Sequence, residues 1–204
     1  MKNPELSRRG ILGIALAASG ALAFPAAAIA APATGSTTWT GSTSANGWPI
    51  LNTAPTFRIE GSSESANLAD GDPATVLLYV ARRFNYEIDS LRTGDVTAHN
   101  TDRSIAQPYE SNYLSGTAIA IRPLLYPVGA GGMFYPNELA VIKDILAELN
   151  GTVAWGGNAA IPKESHFEIA VRPGDARLKA TAAKIRGWDE QPGGEGAGIV
   201  SAFS

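Results

Sequence analysis

Only two imidazoles, His99 and His166, could serve this chain as metal ligands or proton carriers, and no cysteine accompanies them. A catalytic zinc usually takes about three protein ligands from His, Asp and Glu and leaves one position for water. Two histidines and a carboxylate would suffice. His99 lies in a polar stretch, where a solvated loop histidine is the plainer reading. His166 opens the apolar run His166-Phe167-Glu168-Ile169-Ala170-Val171, where the plainer reading is a hydrogen-bonded histidine at a strand end. Other chemistries lack their motifs. There is no G-x-S-x-G elbow for a serine hydrolase. Gly129-Ala130-Gly131-Gly132 lacks the Lys-Ser/Thr ending of a phosphate loop and reads as a turn. Without cysteine, disulfides, thiolate metal centres, cysteine nucleophiles and lipid attachment at a signal-peptide cysteine are excluded.

Two ordered motifs narrow the field. Ser111-Asn112-Tyr113-Leu114-Ser115-Gly116-Thr117-Ala118-Ile119-Ala120-Ile121-Arg122-Pro123 resembles the S-x-H-x-x-G-x-A-x-D-I-R-P segment of the zinc D-Ala-D-Ala carboxypeptidases and their endopeptidase relatives. Further on, Trp155-Gly156-Gly157 followed by His166-Phe167-Glu168 resembles that family's W-G-G…H-F-E ending, and a helix is expected between the two, as in the family. The resemblance spans roughly residues 74–172 and is strongest over 111–171. The order of expected elements is mixed α+β, with helices and strands interleaved and no βαβ periodicity, and the resemblance implies a small, mainly antiparallel sheet with flanking helices.

The departures from that pattern bear on function. The family binds zinc through the motif histidine, the aspartate seven residues later and the histidine of H-F-E; the matching positions here are Tyr113, Ala120 and His166. The family's general base precedes the last histidine by three residues, and Lys163 stands there. A methyl group cannot coordinate, and an ammonium cannot take a proton from water and would repel a dication. The resemblance therefore implies a catalytically silent relative with no cofactor, whose cleft binds a peptidoglycan stem peptide or an extracytoplasmic protein. Lys163 and Arg122 are the candidate carboxylate partners, with a structural ion pair as the alternative for Arg122 and surface solubility for Lys163. Ser111 and Trp155 complete the candidate binding set, although Trp155 also reads as core. A rival reading keeps activity: Glu164, His166 and Glu168 alternate, so a strand reaching back to 164 would present all three on one face. With His99 or Asp102 they could hold zinc at a relocated site. A third reading is a secreted protein–protein interaction domain without a wall ligand.

The elements that must position these residues follow from periodicity. Thr56–Glu60 alternates like a strand. Asp72-Pro73 reads as a helix start, continuing through Val76, Leu77, Val80, Ala81 and Phe84. Leu91–Val96 is a turn signal, and residues 97–110 are polar and read as loop. Thr117–Arg122 is a strand stopped by Pro123. Asn137 can cap a helix whose buried stripe is Leu139, Ile142, Ile145, Leu146 and Leu149, with Lys143 and Glu148 exposed, and Asn150-Gly151 ends it. Residues 152–157 and 166–171 read as strands, and 176–186 as a last amphipathic helix.

The first thirty residues resemble an export signal. Ser7-Arg8-Arg9-Gly10-Ile11-Leu12, an apolar run to Ala23 and the A-x-A site Ala28-Ile29-Ala30 match the twin-arginine route, with a general secretory signal as the alternative. Gly13, Gly20 and Pro25 interrupt the run, which is short of the roughly 20 residues that span a bilayer. Cleavage after Ala30 would leave 174 residues, enough for one domain with one core. It would also remove Lys2, Arg8, Arg9 and Glu5, a net +2, taking the formal charge from −3 to −5. Such a balance disfavours nucleic acid and anionic membranes as partners. Residues 31–54, rich in Ser, Thr, Gly and Ala, read as a flexible lead. In that lead Trp48 either packs on the domain edge or, with Trp39, meets a wall polymer. Residues 55–190 read as the domain, and 191–204 as a Gly-rich tail.

Overall fold

The computed structural model describes residues 35–190, so the expected export signal and the Gly-rich tail lie outside the described residues. Three helices carry the core: α1 (Asp72–Glu87), α2 (Pro136–Glu148) and α3 (Ala176–Glu190). The strands are short: β1 (Thr37–Thr38), β2 (Thr56–Arg58), β3 (Ser65–Asn67), β4 (Val96–Thr97), β5 (Ser104–Ile105), β6 (Ala118–Ile121), β7 (Val153–Trp155) and β8 (His166–Ile169). A 3-10 helix, Pro108–Tyr113, leads into β6. The chain is α+β, and its four-stranded sheet runs antiparallel in the order β4-β6-β8-β7.

The period-two rule explains how β6 can be buried throughout. Ile119 and Ile121 face the main core with Phe167 and Ile169 of β8, against which α1 lies. Ala118 and Ala120 face the other way and pack with Tyr113 in a small separate cluster. Register places Ala120 opposite His166 and Ala118 opposite Glu168, so the histidine and the glutamate project from the alanine face. Just before β6, Gly116 lets the chain pass close to the Ala69 backbone: at φ 66°, a Cβ there would come within 2.7 Å of the Ala69 nitrogen.

Several expectations are corrected. Residues 35–54 are not a flexible lead. β1 pairs with β5, and Trp48 packs on the core with its indole N–H donating to Val171 O at 2.8 Å. The Asn46 amide donates to Thr117 Oγ1 (2.8 Å) and Ile169 O (2.9 Å), while Ala45 N donates to Ser111 Oγ (2.8 Å). The segment is held by satisfying buried polar groups of the domain, a contribution that counting apolar side chains overlooks. Helix α2 begins at Pro136 rather than after an Asn137 cap, with the Glu138 carboxylate accepting the Tyr135 N–H at 2.8 Å. Its stripe is as expected at Ile142, Ile145 and Leu149, and Lys143 is exposed. Glu148 is not: it is 4% exposed, accepts from the Tyr79 hydroxyl and pairs with Arg83 at 2.8 Å. Arg83 also pairs with Glu87 and with Asp144 (2.8 Å), so α1 is pinned to α2 by a buried ion network. The polar stretch 97–110 contains β5 and the start of the 3-10 helix, and α3 runs on to Glu190. Among the described residues no helix is long and apolar enough to cross a membrane.

Candidate functional site

Tyr113, Ala120, His166 and Lys163 converge on the alanine face of the sheet. His166, the first residue of β8, is 1% exposed, and Tyr113 closes over it from the end of the 3-10 helix. The Tyr113 hydroxyl lies 2.7 Å from His166 Nδ1, and Nε2 lies 2.8 Å from Glu168 Oε2. The Asn112 side-chain amide donates to the same Glu168 oxygen. A carboxylate can only accept, so Nε2 carries the proton and Nδ1 accepts the tyrosine O–H. Burial holds the His166 pKa below the ordinary imidazole value although the Glu168 carboxylate pushes it upward, and burial raises the Tyr113 phenol well above its usual range. The result is a chain of donors and acceptors that ends on the Glu168 carboxylate, with both imidazole nitrogens engaged.

Lys163 stands beside this chain. Its Nζ is 2.7 Å from Glu110 Oε1 and 4.9 Å from the centre of the Tyr113 ring. Burial tends to raise the Glu110 carboxyl, but the Lys163 ammonium and the amides of Ala106 and Gln107 outweigh it and hold the pKa below the usual value. The W-G-G motif supports the geometry. A Cβ on Gly156 would collide with the Lys163 carbonyl oxygen and the His166 side chain. Gly156 O in turn accepts the Lys163 N–H at 3.1 Å, fixing the turn that delivers Lys163 and His166.

Other expected site residues are elsewhere or occupied. Glu164 does not share a face with His166. Strand β8 starts only at His166, after a turn in which His166 N bonds Lys163 O, and the alternation does not reach position 164. The Glu164 carboxylate instead accepts the Gly132 and Met133 N–H groups at 2.7 and 2.8 Å, tying down the glycine loop. Arg122, at φ 55°, is a structural residue: it pairs with Asp89 and with Asp95 (3.2 Å) and donates to Ser90 O (2.9 Å). Ser111 is fully buried, donating to Pro108 O and accepting from Ala45 N. The indole of Trp155 donates to Glu164 O at 2.7 Å, and its ring packs in the core beside Phe134. His99 Nε2 meets Leu51 O at 3.0 Å, and Asp102 caps the Ser104 N–H. Sequence reasoning missed Tyr109, Glu110 and Asn112. All three come from the polar segment before β6, where hydrophobic periodicity carries no signal for side chains that face the site.

The donor set does not fit zinc. At the four positions that the resemblance assigns stand one imidazole with both nitrogens in hydrogen bonds, a phenol kept protonated by burial, a methyl group and an ammonium. Among the described residues no three His, Cys, Asp or Glu side chains are grouped to hold a metal ion. Three hollows flank the site. One, of about 160 Å³, lies between Lys163, Tyr113, Ala120 and Asp102; a second, of about 250 Å³, lies beside His166 and Glu168; the third is an open groove of about 680 Å³ passing Tyr109, Glu168 and Ala170. Comparison with known protein families, curated proteins and solved structures found no match for the chain.

Proposed function

We propose that the chain is an exported, catalytically silent domain resembling the D-Ala-D-Ala carboxypeptidases, acting as a binding or accessory module for peptidoglycan peptides. One observation carries the silent reading: the imidazole that the resemblance assigns to the metal is closed at Nδ1 by Tyr113 and at Nε2 by Glu168. Convergence of Tyr113, Ala120, His166 and Lys163 on one sheet face supports the alignment behind it. The open groove beside them supports binding in place of hydrolysis. With Arg122 and Lys163 in internal ion pairs, neither supports capture of a ligand carboxylate.

The test has two arms. Sedimentation with insoluble peptidoglycan separates wall binding, in which the chain is carried down, from a protein-interaction domain, in which it stays in solution. Metal analysis compares wild type with a Tyr113→His, Ala120→Asp, Lys163→Glu variant, which supplies three ligands and a base around His166. The variant is expected to take up one zinc and wild type none. Wild type that purifies with one zinc and loses it on His166→Ala would overturn the silent reading.

A further inference from the structure

Glu168 belongs to the His166 hydrogen-bond chain by one oxygen only. Oε2 accepts from His166 Nε2 and from the Asn112 amide, and among the described residues no donor reaches Oε1. The side chain is 19% exposed, so the carboxylate sits at the floor of the open groove. A second hollow of about 250 Å³ shares Tyr109, Ala154, Ala159 and Glu168 with the groove, making the depression continuous around the carboxylate. Its lining carries one charged side chain, Glu168, and no lysine or arginine. His166, with Nδ1 accepting from Tyr113 and Nε2 donating to Glu168, offers no compensating cation. Tyr109 forms the wall: its hydroxyl donates to Ile161 O at 3.1 Å, and its ring centre lies 4.9 Å from that of His166. Alanines at 154, 159, 160 and 170 leave the depression its depth.

A recessed carboxylate with one free oxygen, no counter-ion and an aromatic ring alongside is complementary to a hydrogen-bonding cation. We propose that this groove binds a peptide through a primary ammonium group set on Glu168 Oε1 beside the Tyr109 ring. The His166 and Asn112 hydrogen bonds fix the carboxylate before the ligand arrives, which lowers the ordering cost of binding. The inference deepens the proposed function by naming the ligand group, and it rests on reading the domain as a binding module.

The experiment titrates the full chain with acetyl-Ala-Lys-Ala-amide and with the same peptide carrying norleucine in place of lysine, following heat and backbone amide shifts. The lysine peptide is expected to bind at least about tenfold more tightly than the norleucine peptide. Glu168→Gln is expected to remove that preference while leaving the norleucine peptide unaffected. If Glu168→Gln does not fold, Ala170→Phe keeps the test: an exposed wall position filled by a ring should abolish binding of both peptides. Equal affinity for the two peptides, no binding of either, or an unchanged preference in Glu168→Gln overturns the inference. Peptidoglycan sedimentation separates the two claims. Retention on peptidoglycan without a lysine preference sinks the groove and spares the proposed function; a lysine preference without retention does the reverse.

Discussion

Deleting the Tyr113 hydroxyl tests whether the site is closed by tyrosine. In Tyr113→Phe the ring keeps its place against Ala118 and Ala120, so no cavity opens beyond one oxygen atom. What goes is the O–H that satisfies His166 Nδ1 at 2.7 Å, in surroundings where Tyr113 is 5% and His166 1% exposed. Water has no ready access to the stranded nitrogen. A neutral hydrogen bond is worth about 1 kcal/mol net, and leaving a buried acceptor unpaired costs about 1–3 kcal/mol. The expected loss is therefore about 1–3 kcal/mol, read in urea unfolding as a lower midpoint with an unchanged slope. Tyr109→Phe removes the same atom from a hydroxyl that donates to Ile161 O in a more exposed position, and it should cost less than about 1 kcal/mol. Equal stability of Tyr113→Phe and wild type would mean that the hydroxyl does not close His166, and the case against metal binding at Nδ1 would fall with it.

Further perturbations follow from the same network and from the core. Burial depresses the folded-state pKa of His166, so the unfolded chain binds the proton more readily; the stability this group contributes is present above about pH 6.5 and is lost as pH falls below it. The stability gap between wild type and His166→Gln should therefore narrow from about pH 7.5 to about pH 5, and a constant gap would mean that the imidazole is not held neutral. Glu110 has a separate window, because its depressed pKa gives stability present above about pH 4.5 and lost as pH falls further. In the core, Glu148→Ala leaves the Tyr79 O–H and one Arg83 N–H without their buried acceptor and should cost about 2–4 kcal/mol, held to that range because Asp144 and Glu87 still partner the guanidinium. Lys143→Ala, on the exposed side of the same helix, should change stability by less than about 0.5 kcal/mol, and similar losses at both positions would show that the network does not pin α1 to α2.

Much of the frame was legible before any coordinates. The α+β class, the strand at Thr117–Arg122, the stripe of α2 and the strand opening at His166 all rest on interactions between near neighbours, where side-chain period reports the buried face. The order of the two motifs also led to Tyr113, Ala120, Lys163 and His166 as a group, and antiparallel pairing of β6 with β8 brings them together. What tertiary structure alone decided is where each polar group finds its partner. Asn46 anchors to Thr117 and Ile169, far along the chain, so a segment whose composition suggests disorder is held by the domain. Glu148 lies at a polar position of its helix yet meets Arg83 and Tyr79 of α1, and pairing makes its burial tolerable. Glu164 is two residues from His166, but a turn that begins at Lys163 removes it from the shared face. Hydrophobic burial is non-directional and leaves its period in the sequence; a hydrogen bond between residues 53 or 56 positions apart, as at Tyr113–His166 and Asn112–Glu168, leaves none.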